Sequence, residues 1–242
     1  MIVYVKKGMD GEIANHNFYA AYDGFKQLGF EIRYFKDTAE LTEHRREDIV
    51  IGYVDDVRTM LGKHGIVAPE LDYPEELQDE LGRKVWRTKL SAIVNDPESW
   101  GVFIKPVEDK KFAGTVVRGT KDLIGCGTYG EDPEIFCSEV VKFVAEWRGF
   151  VRHGQVLDVR RYRGDWSLSL DPVVLKRIVN RFASAPKGYS VDIGLTDDGR
   201  TLLIEINDGY ALGHYGLNSL DYAKLLSARW AELTRSEDEC DF

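Results

Sequence analysis

The sequence lacks several patterns that identify common enzyme classes. Its three cysteines, Cys126, Cys137 and Cys240, are odd in number and show no CxxC spacing. That usage argues against a disulfide framework and against a structural zinc site. No histidine lies in an HExxH motif, and no serine lies in a GxSxG motif. These absences argue against zinc metalloproteases and against serine hydrolases of the α/β-hydrolase type.

Long apolar runs and excess positive charge are also missing. The apolar run IVYV near the start is followed by two lysines and is too short for a signal peptide or a membrane span, so we expect a first strand there. The net charge of −9 disfavours general adhesion to nucleic acid or to an anionic membrane. We therefore expect no nucleic-acid partner, no membrane partner and, from the cysteine usage, a reducing cytoplasmic location.

What is present is the composition of an ordinary globular protein. The 242 residues are 43% hydrophobic and 30% charged, which is enough for one large or two small domains with a substantial core. We predict an α/β (α+β) chain with an N-terminal domain over residues 1–80 and a second domain over residues 81–242. The boundary depends on a connector that contains Pro69 and Pro74.

Strands and helices alternate in the first part of the chain, which favours a small parallel layer of βαβ type. The patterns predict strands at IVYV, FEIRYF and DIVIGYV, with helices at about Asn15–Leu28 and Val57–Lys63. The stretch PEELQDELGRKVWRTKLSAIV then predicts mostly helix, and this helix would carry Lys89. From Trp100 onward the patterns favour strands, with helices at about Pro172–Ala183 and Leu220–Leu233.

The stretch TLLIEINDGY places polar residues at every second position of an apolar strand. Asp198-Gly199, just before it, is a strong signal for a two-residue hairpin turn. A hairpin centred there predicts one apolar and one polar face. The predicted apolar pairs are Val191 with Ile206, Ile193 with Ile204 and Leu195 with Leu202, and the polar pairs are Ser190 with Asn207 and Asp192 with Glu205.

Two carboxylates that face each other across a hairpin repel, so a cation is expected between them. Carboxylate and amide oxygens suit Mg²⁺, which commonly joins one or two carboxylates to substrate phosphates. The alternative is a half-exposed hairpin whose polar face simply meets water.

A second candidate lies in VFIKPVEDKKFAGTVV, where Lys105 ends an apolar strand and Gly114 lies in the loop before the next strand. An ammonium group there can contact a phosphate, and a glycine lets backbone N–H groups approach phosphate oxygens. The alternative is a solvated lysine at a strand end. Two other glycine motifs are decoys: GCGTYG is not followed by a helix, and GTVVRGTK has its lysine after the threonine.

The hairpin EWRGFVRHGQVLDVRRYRGD concentrates positive charge in an acidic chain. Residues 142–163 hold six basic and two acidic residues, a local charge of +4. A turn at His153-Gly154 predicts Glu146 opposite Arg161, Trp147 opposite Arg160, and Arg148 on the same face as Glu146. Fixed guanidinium groups suit a transferring phosphoryl group or a carboxylate. The alternative is a solvated hairpin with ordinary cross-strand salt bridges.

The order of these features resembles the ATP-grasp superfamily over about Leu81–Gly216. The resemblance rests on Lys89, the strand ending in Lys105-Pro106, the glycine loop, the SEVV and EWR segments, and Asp192 followed by Glu205 and Asn207. It implies an ATP-grasp fold, with the first βαβ segment as the smaller domain that commonly precedes it. One departure is the loop NDGYALGHYG, where the family often has a small loop with proline and glycine.

The resemblance also implies roles for individual residues. Lys89 and Lys105 would contact phosphates, the segment 138–141 would meet adenine through its backbone, and Glu139 or Glu146 would lie near the ribose. The complete expected set is ATP with Mg²⁺ as cofactors, cofactor-binding residues Lys89, Lys105, Gly114, Glu139, Val140, Val141 and Glu146, metal ligands Asp192, Glu205 and Asn207, and catalytic residues Arg148, Arg161 and Lys105.

The chemistry that the resemblance implies is the ligation of a carboxylate to an amine. An acylphosphate would form with release of ADP, and an amine would then displace the phosphate. Neither the carboxylate nor the amine, whether small molecule, peptide or protein, follows from the sequence. A nucleotide-binding regulatory module without ligase activity is the alternative, and a kinase that stops at a phosphorylated product is a third.

Overall fold

The computed structural model describes residues 1–108, 111–127 and 130–242, which fall into two compact units. The first unit contains Met1–Glu80 and Val144–Phe242, and the second contains Leu81–Phe143. The proposed domains over 1–80 and 81–242 are a division of a different kind, and they remain a prediction. Thr128 and Tyr129 of the GCGTYG motif lie outside the described residues.

The N-terminal part of the first unit is a small parallel sheet with helices. Its elements are β1 (Ile2–Lys6), α1 (His16–Gln27), β2 (Glu31–Phe35), β3 (Ile49–Ile51) and α2 (Val54–Lys63). The strand order is β2-β1-β3, and both pairs are parallel. Asn15 caps α1 by accepting a hydrogen bond from the Phe18 N–H, which satisfies one of the free donors at the helix start. The predicted βαβ-type layer is confirmed.

The second unit is a four-stranded antiparallel sheet. Its elements are β4 (Val85–Lys89), α3 (Leu90–Val94), β5 (Val102–Pro106), β6 (Thr115–Val117) and β7 (Glu134–Glu139), with the strand order β4-β7-β5-β6. Apolar side chains cover one face of this sheet and form its core, among them Leu90, Ile104 and Ile135.

The predicted helix over residues 74–94 is wrong. A 3₁₀ helix covers Glu75–Leu81, strand β4 follows, and only Leu90–Val94 is α-helical. Gly82 has a positive φ of 58°, which interrupts a helix, and β4 then pairs along its whole length with β7. Lys89 therefore lies at the end of a strand.

The C-terminal part of the first unit contains the second long sheet. Its elements are β8 (Phe143–Arg152), β9 (Gln155–Gly164), α4 (Pro172–Arg181), β10 (Gly188–Thr196), β11 (Thr201–Asp208) and α5 (Ser219–Thr234). The strand order is β11-β10-β8-β9, and the pairs β8–β9 and β10–β11 are antiparallel hairpins. Within the described part of the chain, no helix combines the length and apolar character that a membrane crossing requires.

Candidate functional site

The hairpin of β10 and β11 brings the predicted metal ligands together. Asp192 pairs directly with Glu205, and Ser190 pairs with Asn207, as the sequence predicts. The inner part of the prediction is wrong, because Ile193 pairs with Leu203 instead of Ile204. A β-bulge between Asp192 and Ile193 changes the register at this point.

Two offsets of one residue explain why the outer pairs are right and the inner pairs wrong. The Thr196 N–H donates to the Arg200 carbonyl, so the turn contains three residues instead of two. Gly199, with φ of 86°, occupies its left-handed position. The register then skips Ile204 at the bulge, which restores the predicted pairing from Glu205 onward.

Asp192 is held by a buried arginine on the neighbouring strand β8. Arg148 Nε donates to Asp192 Oδ1, and Arg148 Nη2 donates to Oδ2, both at 2.7 Å. Their side chains are only 8% and 4% exposed. Asn207 Nδ2 donates to the same Oδ2 at 3.2 Å. Asp192 is therefore the centre of the cluster, with one cation and one amide bound to it.

Burial makes the negative charge of Asp192 costly. It raises the pKa of this carboxyl above its ordinary value, against the lowering effect of Arg148, and the charge of Glu205 adds to the rise. On the other partner, burial opposes the charge of Arg148, but the hydrogen bonds to Asp192 raise the guanidinium pKa. An ionised Asp192 therefore depends on a cation beside it.

The donor set on this face fits Mg²⁺. Asp192 and Glu205 supply carboxylate oxygens and Asn207 an amide oxygen, the hard ligands that this ion prefers. Ser190, directly opposite Asn207, has a fully buried hydroxyl with no hydrogen-bond partner among the described residues. A buried polar atom of this kind normally has a partner, so this part of the face is suited to a polar ligand or water.

An aromatic pair lies against Arg148 on the loop after β11. The Arg148 guanidinium lies 4.8 Å from the centroid of the Tyr215 ring, and the Tyr215 and Tyr162 rings stack at 5.0 Å. Arg148 Nη1 also donates to the Gly213 carbonyl at 3.4 Å. Tyr215 adopts a positive φ of 42°, which is uncommon for a residue with a side chain. We call Tyr162 and Tyr215 the tyrosine pair.

The hairpin of β8 and β9 has the predicted turn but a different register. His153 and Gly154 both have positive φ, as a two-residue turn requires. Bulges then shift the pairing, so Arg161 faces Trp147, Arg160 faces Arg148, and Arg163 faces Glu146. The predicted pairs of Glu146 with Arg161 and of Trp147 with Arg160 are therefore wrong.

The shifted register separates two of the predicted catalytic residues. Directly paired residues share a face of the sheet, so Arg160 lies on the face of Arg148 and Arg161 on the opposite face. Arg161 is exposed, and its Nη1 donates to the Asp165 carbonyl at 2.7 Å. Its catalytic role stays a prediction. Arg160 forms a salt bridge with Asp158, and its Nε is buried without a hydrogen-bond partner in the part of the chain that the structure describes.

The predicted phosphate-contacting lysines lie in the second unit, at strand ends. Lys105 is in β5 directly opposite Phe136 of β7, with its Nζ 5.6 Å from that ring. Lys89 ends β4 and lines a surface pocket that also contains Lys111 and the acidic residues Glu108, Glu131, Asp132 and Glu134. Carboxylates around Lys89 would compete with a phosphate for it.

Gly114 lies close to Lys105, as a glycine loop requires. A Cβ atom at Gly114 would come within 2.6 Å of the Phe103 ring and 3.5 Å of Lys105 Cβ. The loop backbone can therefore approach β5 closely only with glycine at this position.

The predicted adenine linker is an extended segment between two strands. Glu139 ends β7, and its Oε2 accepts a hydrogen bond from the Lys84 N–H at 2.8 Å. Val140 and Val141 follow outside any strand, and Val140 is exposed. Glu146 lies in the first unit, buried, and accepts a hydrogen bond from Arg163 Nη1 at 2.6 Å. The nucleotide contacts of these residues stay predictions.

A family model described as an ATP-grasp domain, the second family of its clade, matches residues 81–225. The chain belongs to this ATP-grasp family. The match contains β4 to β11, and with them every one of the predicted site residues. None of the curated proteins compared with the chain is similar to it.

Solved structures share the ATP-grasp fold across nearly the whole chain. D-alanine–D-alanine ligase from Bacillus anthracis, complexed with ATP, is 14% identical with a TM-score of 0.58, and the match covers 97% of each chain. The ATP-grasp ligase PsnB with its minimal precursor is 16% identical with a TM-score of 0.53, over 96% of this chain and 99% of PsnB. Macrocyclase MdnC with precursor peptide MdnA from Microcystis aeruginosa is 12% identical with a TM-score of 0.53, over 93% and 99%.

In this ATP-grasp chain, sequence patterns did not reveal the partners of Asp192. Arg148 is 44 residues away from it in sequence, and only the β8–β10 pairing of the sheet brings them together. Tyr162 was hidden inside a run of arginines, although a bulge lies beside it. The one usable signal for Tyr215 is the following Gly216, which marks a left-handed turn.

Proposed function

We propose that this ATP-grasp protein is an ATP- and Mg²⁺-dependent ligase that joins a carboxylate to an amine. The observation that carries the proposal is the face of β10 and β11, where Asp192, Glu205 and Asn207 lie together beside Arg148. Such a face offers oxygen ligands to a metal and a guanidinium to an anion in one place.

The proposed reaction has two steps. A carboxylate oxygen of the first substrate attacks the γ-phosphorus of ATP, the bond to the β-phosphate oxygen breaks, and ADP leaves. The amine then attacks the carbonyl carbon of the acylphosphate, phosphate leaves, and the nitrogen loses a proton to give the amide or peptide bond. Both steps depend on positioning and charge neutralisation, so no serine or cysteine nucleophile is required.

Each group of residues has a role in this proposal. Asp192, Glu205 and Asn207 would hold Mg²⁺, which neutralises phosphate charge when bound. Arg148 would stabilise negative charge on the transferring phosphoryl group, and Lys105 and Lys89 would bind ATP phosphates. Gly114 would let a backbone N–H approach a phosphate oxygen.

A peptide is a reasonable substrate class to test beside free amino acids. PsnB and MdnC were solved with precursor peptides, and D-alanine–D-alanine ligase with ATP. These neighbours share the fold at low identity, so the substrate of this chain must be tested directly. The three cysteines are free and buried, which agrees with the proposed reducing, cytoplasmic location.

Trapping with hydroxylamine tests the ligase. With Mg²⁺-ATP and a panel of carboxylates that includes amino acids and peptides, we expect a hydroxamate with an equal amount of ADP. Arg148→Lys should lower turnover by about 10²-fold or more, since a guanidinium that stabilises developing charge has been removed. AMP and pyrophosphate as the products would contradict the proposal, because they indicate attack at the α-phosphate.

A nucleotide-binding regulatory module is the second candidate. The bidentate pair of Arg148 and Asp192 favours it, because it neutralises this carboxylate without a metal. The two candidates differ in one result: the module would bind ATP but yield neither ADP nor hydroxamate with any carboxylate of the panel.

A further inference from the structure

The pair of Arg148 and Asp192 has a consequence for metal binding, which deepens the proposed function and rests on it. Asp192 Oδ2 accepts hydrogen bonds from both Arg148 Nη2 and Asn207 Nδ2, and Oδ1 accepts one from Arg148 Nε. A carboxylate oxygen has about two lone-pair sites, so Oδ2 is saturated. A metal ion on Oδ2 must replace one of these donors.

Charge identifies Arg148 as the donor that moves. Asp192 and Glu205 carry two negative charges, and Arg148 carries one positive charge against them. Asn207 can turn its amide oxygen towards a metal, whereas a guanidinium has only donors and repels a second cation at the same oxygen. The low exposure of the pair strengthens this repulsion, since solvent does not screen it.

We propose that Mg²⁺ and Arg148 compete for Asp192, so that metal binding releases the Arg148 guanidinium to bind an anionic group of a substrate. The metal thus does more than neutralise ATP. It converts Arg148 from the partner of a carboxylate of the protein into a binding group for a carboxylate or phosphate.

The tyrosine pair keeps the released guanidinium in the site. Arg148 lies 4.8 Å from the Tyr215 ring and donates to the Gly213 carbonyl, and neither contact depends on Asp192. Two consecutive left-handed residues, Tyr215 at φ 42° and Gly216 at φ 88°, place that ring. Strained backbone of this kind is typical of functional sites. Tyr215 is thus a positioning residue that acts through Arg148.

Titration with Mn²⁺ in the absence of nucleotide tests the competition, with Mn²⁺ as a spectroscopic substitute for Mg²⁺. Arg148→Met removes the competitor, so we expect it to bind Mn²⁺ about tenfold more tightly than the unmodified protein, the scale of one charge-assisted hydrogen bond. Arg148→Lys keeps the charge but loses the bidentate contact, and should show a smaller gain. This second variant also serves if Arg148→Met does not fold.

Arg229→Met is the matched control. Arg229 forms a similar buried bidentate pair with Asp208, at 2.6 and 2.5 Å, and Asp208 is next to Asn207 in the chain. Its loss should leave Mn²⁺ affinity unchanged. Equal gains in Arg148→Met and Arg229→Met would overturn the inference, because any released carboxylate would then produce the effect.

Inorganic phosphate tests the second half of the proposal. Because coupling between two ligands is reciprocal, phosphate should tighten Mn²⁺ binding to the unmodified protein and to Tyr215→Phe, but less in Tyr215→Leu and not in Arg148→Met. Equal tightening in Arg148→Met would show that phosphate acts through the metal alone and would overturn this half.

The titrations also separate this inference from the proposed function. If the unmodified protein binds Mn²⁺ with ATP but Arg148→Met and Arg148→Lys show no gain without nucleotide, the competition is disproved and the ligase proposal stands. If the unmodified protein binds no Mn²⁺ even with ATP, the metal site and this inference both fail.

Discussion

At the residue scale, the buried ion pair makes Asp192 important for stability as well as for the proposed metal site. Asp192→Ala leaves Arg148 charged and buried without its carboxylate, which should lower the free energy of unfolding by about 3–5 kcal/mol. Urea denaturation measures this loss. The control is Glu31→Ala, since Glu31 and Arg33 form an exposed pair that should contribute less than about 1 kcal/mol. Equal losses in the two variants would contradict the account of the buried pair.

Lys105 offers a second test at this scale. Lys105→Ala removes one charge beside the Phe136 ring, and we expect ATP affinity to fall about tenfold, the scale of one charge-assisted contact, with the fold intact. Lys84→Ala is the control, because Lys84 is an exposed lysine near the Trp86 ring in the same unit. Calorimetric titration with ATP compares them. Unchanged affinity in Lys105→Ala would make it an ordinary solvated lysine.

Single residues were predictable where the backbone pattern alone places them. Asp192, Glu205 and Asn207 follow from strand alternation and one turn signal, and the structure brings them together. Arg148 could not be assigned to Asp192, because that contact depends on the neighbouring strand in the sheet. Tertiary contacts of this kind leave no trace in local sequence.

At the element scale, Gly114 controls how closely its loop approaches β5. Gly114→Ala places a Cβ within 2.6 Å of the Phe103 ring, and we expect a loss of about 1–3 kcal/mol in stability from the forced shift. Gly119→Ala is the control, because a Cβ there would meet no atom of the described residues within 4 Å beyond its chain neighbours, and its φ of −167° suits any residue. Thermal unfolding of the two variants measures the difference. A neutral Gly114→Ala would contradict the close approach.

A histidine pair connects the segment before β3 with the end of α2. His44 Nδ1 lies 3.0 Å from His64 Nε2, and His64 is the C-cap of α2. Burial, together with the charge that His64 would carry, lowers the pKa of His44 to about 4. The unfolded chain, with an ordinary histidine pKa near 6.5, binds more protons than the folded chain between these values.

Stability should therefore fall as the pH drops from about 6.5 towards 4, and should change little through His44 above pH 7. Melting temperatures measured across this range check the direction. His44→Gln should flatten the dependence, whereas His153→Gln, on the β8–β9 turn, should not. An unchanged slope in His44→Gln would show that other groups cause the loss.

Elements were predicted well where one pattern dominates and poorly where turns and bulges decide. The βαβ layer and both hairpins were correct. Registers failed at bulges, because one inserted residue exchanges the faces of a strand without changing its composition. Lys89 was assigned to a helix because Glu75–Leu81 favours helical structure, whereas Gly82 and the pairing of β4 with β7 decide otherwise.

At the scale of the whole molecule, order along the chain was the most informative signal. The resemblance predicted from that order is confirmed by the family match over residues 81–225 and by the shared fold of known ligases. Packing was less predictable, since residues 144–242 pack with the N-terminal residues and 81–143 form their own unit. Substrate identity did not follow, because the loop NDGYALGHYG departs from the common pattern of the family.

The most direct test of the account is whether ATP stabilises the protein only together with Mg²⁺. At a hundredfold excess of ligand over its dissociation constant, we expect about 2.7 kcal/mol of stabilisation with Mg²⁺ and much less with a chelator. Glu205→Gln should lose the metal-dependent part, while Glu237→Gln, a glutamate of the same unit outside the site, should keep it. Equal thermal shifts in Mg²⁺ and in chelator would contradict the assignment of Asp192, Glu205 and Asn207 as the metal ligands.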